Sequence, residues 1–155
     1  LFGLVLLQIA AYRNWPVWRD WADRLNLRLV VGLHLTRLVG FYFLYLYERD
    51  RLPYAFAVPG GIGDIIVAVL ALAVVAIPLA PKARLHAISI WNVVGLLDIL
   101  LVVSTAARLG LADPRSMREL TVLPLSLLPT FLVPLIIASH LLIYVRTRRE
   151  FAAAE

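Results

Sequence analysis

The chain has 155 residues, 62% of them hydrophobic and only 16% charged, with no cysteine and a formal net charge of +5. A soluble domain averages about 45–50% apolar and about 25% charged residues; here the mean hydropathy is +0.86 and the apolar residues fall in blocks of membrane-spanning length, so the sequence specifies an all-α integral membrane protein. The lack of cysteine excludes disulfides, thiolate metal sites, covalent c-type haem and cysteine nucleophiles, and the positive charge is no nucleic-acid footprint, because the arginines sit in short connections between apolar blocks.

Residues 1–12, LFGLVLLQIAAY, are apolar but too short to cross about 30 Å of hydrocarbon. They are expected to be a first span whose upstream part is missing from this sequence. Residues 14–28 follow, with Trp15, Trp18, Trp21 and Leu25 at helical spacing and Arg19, Asp20, Asp23 and Arg24 on the other face. Asn14 is placed to cap this helix and Pro16 suits its first turn. Arg19–Asp23 and Asp20–Arg24 are spaced as i,i+4 pairs. A tryptophan-rich amphipathic helix of this kind lies in the membrane interface, with Trp15, Trp18 and Trp21 as anchors.

Span two is predicted over 29–47, span three over 62–79, span four over 87–107 and span five over 123–144, each close to the roughly 17–25 residues a crossing needs. Residues 48–61 read as an outer loop or re-entrant segment, and 145–155 as an exposed tail. The expected architecture is a single bundle of about five transmembrane helices, the first truncated, plus one interfacial helix.

Topology follows from the basic residues. Arg13, Arg19, Arg24, Arg28, Lys82, Arg84, Arg146, Arg148 and Arg149 lie on the side of the tryptophan helix; Arg49, Arg51, Arg108, Arg115 and Arg118 lie opposite. The positive-inside rule then predicts a multi-pass protein of the bacterial inner membrane with the tryptophan helix and C-terminus cytoplasmic. Tyr42, Tyr45, Tyr47 and Tyr54 would form the outer aromatic belt.

Ionisable groups inside apolar spans are functional-site candidates by default. Here they are His34, Arg37, Asp98 and His140, with Asn92 beside them. By helical rise, His34, Asn92 and His140 share one layer, while Arg37 and Asp98 lie deeper as a structural intramembrane pair. Predicted inward stripes are His34, Arg37 and Phe41 on span two, Trp91, Gly95, Asp98, Val102 and Thr105 on span four, and Pro129, Val133, Ile136, His140 and Tyr144 on span five. Two imidazoles on different helices could ligate b-type haem, with Arg37 at a propionate, or serve a quinone or pigment. The plainer reading is that the layer consists of interhelical hydrogen bonds fixing bundle register. Pro124, Pro129 and Pro134 free carbonyls in span five, which admits a small-transporter reading, though no inverted repeat supports it.

The stretch VPGGIGD contains a GxGD element like that of intramembrane aspartyl proteases. A catalytic dyad needs its carboxylates about 3 Å apart. If span three starts at Ile62, Asp64 lies near the outer edge and about 12 Å above Asp98. The chain order is also reversed relative to those enzymes, and no PAL motif is present. Nor does the stretch fit a phosphate loop. Gly60, Gly61, Gly63 and Asp64 are therefore predicted to form a tight turn leading into span three, with Asp64 favourable to the helix dipole.

The segments LPYAFAVPGGIGD, WNVVGLLD and PTFLVPLIIASH, in this order, resemble small uncharacterised bacterial multi-pass membrane proteins over roughly residues 37–140. The resemblance implies a compact helical bundle and supplies no activity. With exposed domains almost absent, the expected function is that of a non-enzymatic accessory or structural subunit of a larger bacterial membrane complex, respiratory or photosynthetic. Its partners would be the lipid bilayer and other membrane-protein subunits.

Overall fold

The computed structural model describes residues 2–153. Leu1, Ala154 and Glu155, the outermost residues of the predicted segments 1–12 and 145–155, lie outside the described residues. Among the described residues every regular element is helical. Helices α1 (Phe2–Asn14) and α2 (Pro16–Arg24) come first. Then follow α3 (Leu27–Tyr47), α4 (Tyr54–Ala76), α5 (Pro81–Ala112) and α6 (Leu128–Ala152), the four long and apolar enough to cross a bilayer. At about 1.5 Å per residue, the 32 residues of α5 exceed the hydrocarbon thickness. Its first turns carry the basic residues Lys82 and Arg84.

The segment 14–28 is not one helix. Asn14 closes α1 rather than capping α2, whose N-cap residue is Trp15 with no side-chain bond. The chain breaks at Leu25 and Asn26, and Asn26 restarts it by accepting from the Arg28 amide at 2.9 Å. Asp23 makes no pair along its own helix. It accepts from the Tyr12 hydroxyl at 2.8 Å and pairs with Arg149 at 3.0 Å, tying α2 to α1 and to the end of α6. Arg146 donates to the Leu25 carbonyl in the same region. These contacts hold residues 145–152 in helix where a tail was expected. Trp15, Trp18 and Trp21 remain exposed, and the last two rings lie 5.0 Å apart.

The largest departure from expectation concerns residues 48–61. Asp50, in the left-handed region at φ 55°, ends the turn after α3, and α4 then begins at Tyr54 behind Pro53. Pro59 lies inside the helix, and none of the glycines has positive φ. Gly60, Gly61, Gly63 and Asp64 are thus not a turn leading into a helix; they belong to its body. The physical reason is that unpaired backbone groups are very costly in hydrocarbon, so a helix is favoured over a turn even through proline and glycine. Asp64 lies ten residues after the helix start, about 15 Å along it and near the middle of its 23 residues.

Helix α3 has its own irregularity. Leu33–Val39 winds as a 3-10 helix between two α-helical ends. Three residues per turn eclipse positions i and i+3, so the inward stripe is His34, Arg37 and Gly40, all buried. Phe41, predicted to share that face, is 59% exposed. In α6 a π turn at Leu128–Leu132 absorbs Pro129, where a regular helix would lack a donor. Tyr144, expected inward, is exposed; the buried stripe passes from His140 to Ile143 and Thr147.

Two apolar clusters make the core. One gathers Phe43, Leu46, Phe56, Ile99 and Ile136 toward the α3–α4 turn; the other gathers Val31, Val67, Ala71, Trp91 and Ile143 toward α2. The intramembrane polar residues lie between them.

Candidate functional site

Arg37 is the centre of the polar interior and is 1% exposed. Its Nε donates to Asp64 Oδ1 at 2.6 Å, its Nη1 to the Gly95 carbonyl at 3.0 Å, and its Nη2 to Asp98 Oδ2. One side chain on α3 thereby joins α4 and α5 at two carboxylates and a backbone oxygen. The two carboxylates differ in surroundings. The Asp64 side chain is 5% exposed and that of Asp98 21%. The depth argument that separated them fails because α4 starts eight positions before Ile62. What stands against a protease dyad is now the guanidinium that takes an oxygen from each carboxylate, together with the reversed chain order.

Small residues make this meeting feasible. A Cβ at Gly40 would collide with the Gly61 carbonyl, and one at Gly63 with the Asp98 carboxylate. Close backbone approach of α3 to α4 at Gly40 and Gly61 is what brings Arg37 within reach of Asp64. In α5, a Cβ at Gly95 would stand 2.7 Å from His140 Cε1. Gly95 therefore serves the arginine through its carbonyl and the histidine through its missing side chain.

The second part of the site is the layer of His34, Trp91, Asn92 and His140. Asn92 Nδ2 donates to the His140 carbonyl at 3.1 Å, and its Oδ1 lies 2.8 Å from His140 Nδ1. His140 Nδ1 must therefore carry the hydrogen. The Ser139 hydroxyl donates to the Ile136 carbonyl at 2.7 Å and lies 3.0 Å from His34 Nε2. Its one hydrogen is already placed, so His34 Nε2 is the donor there. This leaves His34 Nδ1 and His140 Nε2 as buried lone pairs with no partner among the described residues. The two rings pack directly, with centroids 4.3 Å apart, and Trp91 closes on both while donating to the Val67 carbonyl at 3.0 Å.

That packing bears on the predicted cofactors. A haem held by His34 and His140 would have to lie between rings already in contact, and the site does not fit it. A cavity of about 230 Å³ does exist, but it borders Arg37 and Asp64, not the imidazoles. Its wall is otherwise apolar and includes Phe56, Val102, Leu120 and Pro129 of the π turn. Among the described residues no cluster of three or more histidine, aspartate or glutamate side chains is arranged to hold a metal ion.

The sequence singled out each member of this site except Ser139 and Asp64 in its true position. Ser139 had a signal: it precedes His140 on a helix that faces span two. Asp64 had one too, since a carboxylate within reach of a helix interior needs a counter-charge.

Fold and site together define a helical multi-pass membrane protein with a charged and hydrogen-bonded interior. The chain belongs to the family described as a domain of unknown function, DUF8737, whose model matches residues 1–148. No curated protein and no solved structure matches it.

Proposed function

We propose that the protein is a non-enzymatic accessory subunit of a larger bacterial inner-membrane assembly, docking through its lipid-facing helices and the tryptophan helix α2. The observation that carries this reading is the disposition of polar and apolar groups. Arg37, Asp64 and Asp98 are bonded to one another across helices in the interior, while Ile66, Val69 and Leu72 of α4 and Ile90, Leu97 and Leu101 of α5 are exposed. Connections between spans are short, so work is done in the bilayer or by contact within it. Beside α2, a groove of about 830 Å³ lined by Trp18, Trp21, Leu29, Phe131 and Leu142 adds apolar docking surface.

In this reading α2 and the end of α6 face the cytoplasm. Support comes from the basic end that α2, the start of α5 and the end of α6 share, marked by the Asp23–Arg149 pair and by His86 against Phe151. Purification in mild detergent tests the proposal. Membrane-protein partners, respiratory or photosynthetic, should co-purify at fixed stoichiometry, and a solitary monomer would refute it.

A further inference from the structure

We propose that the bundle interior is a binding site for one exchangeable proton, held on the Asp64–Asp98 pair or the adjoining imidazoles and reached through the cavity beside Arg37. The inference stands apart from the docking reading and does not depend on it.

Charge balance is the first ground. Each packed helix contributes: α3 brings His34 and Arg37, α4 Asp64, α5 Asp98, and α6 His140. Trp91, Asn92 and Ser139 complete the surroundings and are neutral. Arg37 offsets one carboxylate. The second leaves a net negative charge at mid-membrane, where an uncompensated charge is strongly disfavoured. One proton anywhere in the site brings the total to zero.

Geometry is the second ground. Nε and Nη2 lie along one edge of a guanidinium, so the carboxylates they hold stand side by side. Adjacent carboxylates cannot both remain ionised easily and share a proton instead. Asp64 Oδ2 and Asp98 Oδ1 accept from no donor among the described residues. Independently, His34 Nδ1 and His140 Nε2 are two lone pairs, in rings 0% exposed, that no donor among the described residues satisfies. The site thus has an excess of acceptors and a deficit of hydrogen.

Access is the third ground. The cavity touches Arg37 and Asp64 at its inner end and runs past Val103 and Ala107 to Leu120 of the α5–α6 connection. A proton entering by this cavity meets Asp64, the carboxylate that lines it. It forms an O–H bond on a carboxylate oxygen, and its return to water reverses the step, with nothing else consumed.

The test uses the full chain in lipid at about pH 7. Infrared spectra with carbon-13 aspartate report protonated carboxyl, and nitrogen-15 histidine resonances report imidazolium. The expected result is one proton per chain on either kind of group, with its carboxyl band or N–H signal shifting in heavy water. Both carboxylates ionised and both imidazoles neutral would overturn the proposal, as would a proton that never exchanges. Asp64→Asn should abolish the signal completely and leave Asp98 ionised against Arg37; a protonated Asp98 surviving in that variant counts against it. The wild-type spectra decide alone if the variant fails to fold, and Asp98→Asn gives the reciprocal reading.

Discussion

Arg37 Nε meets Asp64 Oδ1 at 2.6 Å, and the same guanidinium also holds Asp98, so one residue of α3 carries the charge balance of three helices. Removing one member of a buried ion pair costs about 3–5 kcal/mol, because the remaining charge is left without a partner. Arg37→Gln should destabilise the bundle by about that amount, read as a lower thermal midpoint in detergent and loss of the monodisperse peak. Arg37→Lys should fall between, since an ammonium cannot reproduce the planar fork that reaches both carboxylates and the Gly95 carbonyl.

Gly95 and His140 form a size-matched pair. Gly95→Ala should cost about 1–3 kcal/mol as the imidazole is forced off Asn92. Combining it with His140→Ala should recover part of that loss, and a thermal double-mutant cycle in detergent measures the coupling. Strict additivity would show that the two residues do not meet.

Gly40 and Gly32 give an internal control. Gly40→Ala drives a methyl into the Gly61 backbone and should separate α3 from α4, whereas nothing lies within 4 Å of a Cβ at Gly32. Gly32→Ala should therefore be neutral or stabilising by up to about 1 kcal/mol, the usual gain from replacing glycine in a helix. The thermal midpoint should fall for Gly40→Ala and hold or rise for Gly32→Ala.

Asp23 anchors α2 through Tyr12 and Arg149. Partly exposed contacts of this kind contribute about 1 kcal/mol or less. Asp23→Ala should leave the bundle folded but speed proteolysis at the Leu25–Asn26 break, with unchanged cleavage arguing that the lipid interface alone holds α2.

Orientation can be read directly because these 155 residues contain no cysteine. Asp50→Cys, in the α3–α4 turn, should react with an impermeant maleimide in intact cells, while Arg148→Cys should react only after lysis. The opposite pattern inverts the proposed topology.

Much of the helical architecture was legible because apolar runs such as 87–107 are as long as a membrane crossing requires. Arg37 and Asp98 were readable as partners because single charges inside such runs demand compensation. Asp64 was misread for a local reason. Pro59 and three glycines signal a turn in water, where freed backbone groups find solvent, but within hydrocarbon the same residues stay helical and their smallness is used for packing. The exchange of Phe41 for Gly40 on the inner face was not readable, since residue types in 33–39 do not encode a 3-10 winding; the packing against α4 does.

That winding has a consequence for how the two halves of the interior are linked. Successive residues turn by about 120° in a 3-10 helix and about 100° in an α-helix. Rewinding Leu33–Val39 to α would swing His34 about 60° away from Arg37 around the helix axis. The imidazole layer and the arginine cluster could not then both keep their partners. The stretch acts as a screw thread whose pitch sets whether the two polar groups are in phase, and rewinding its seven residues would disengage one from the other while drawing the two ends of the helix about 3.5 Å closer together.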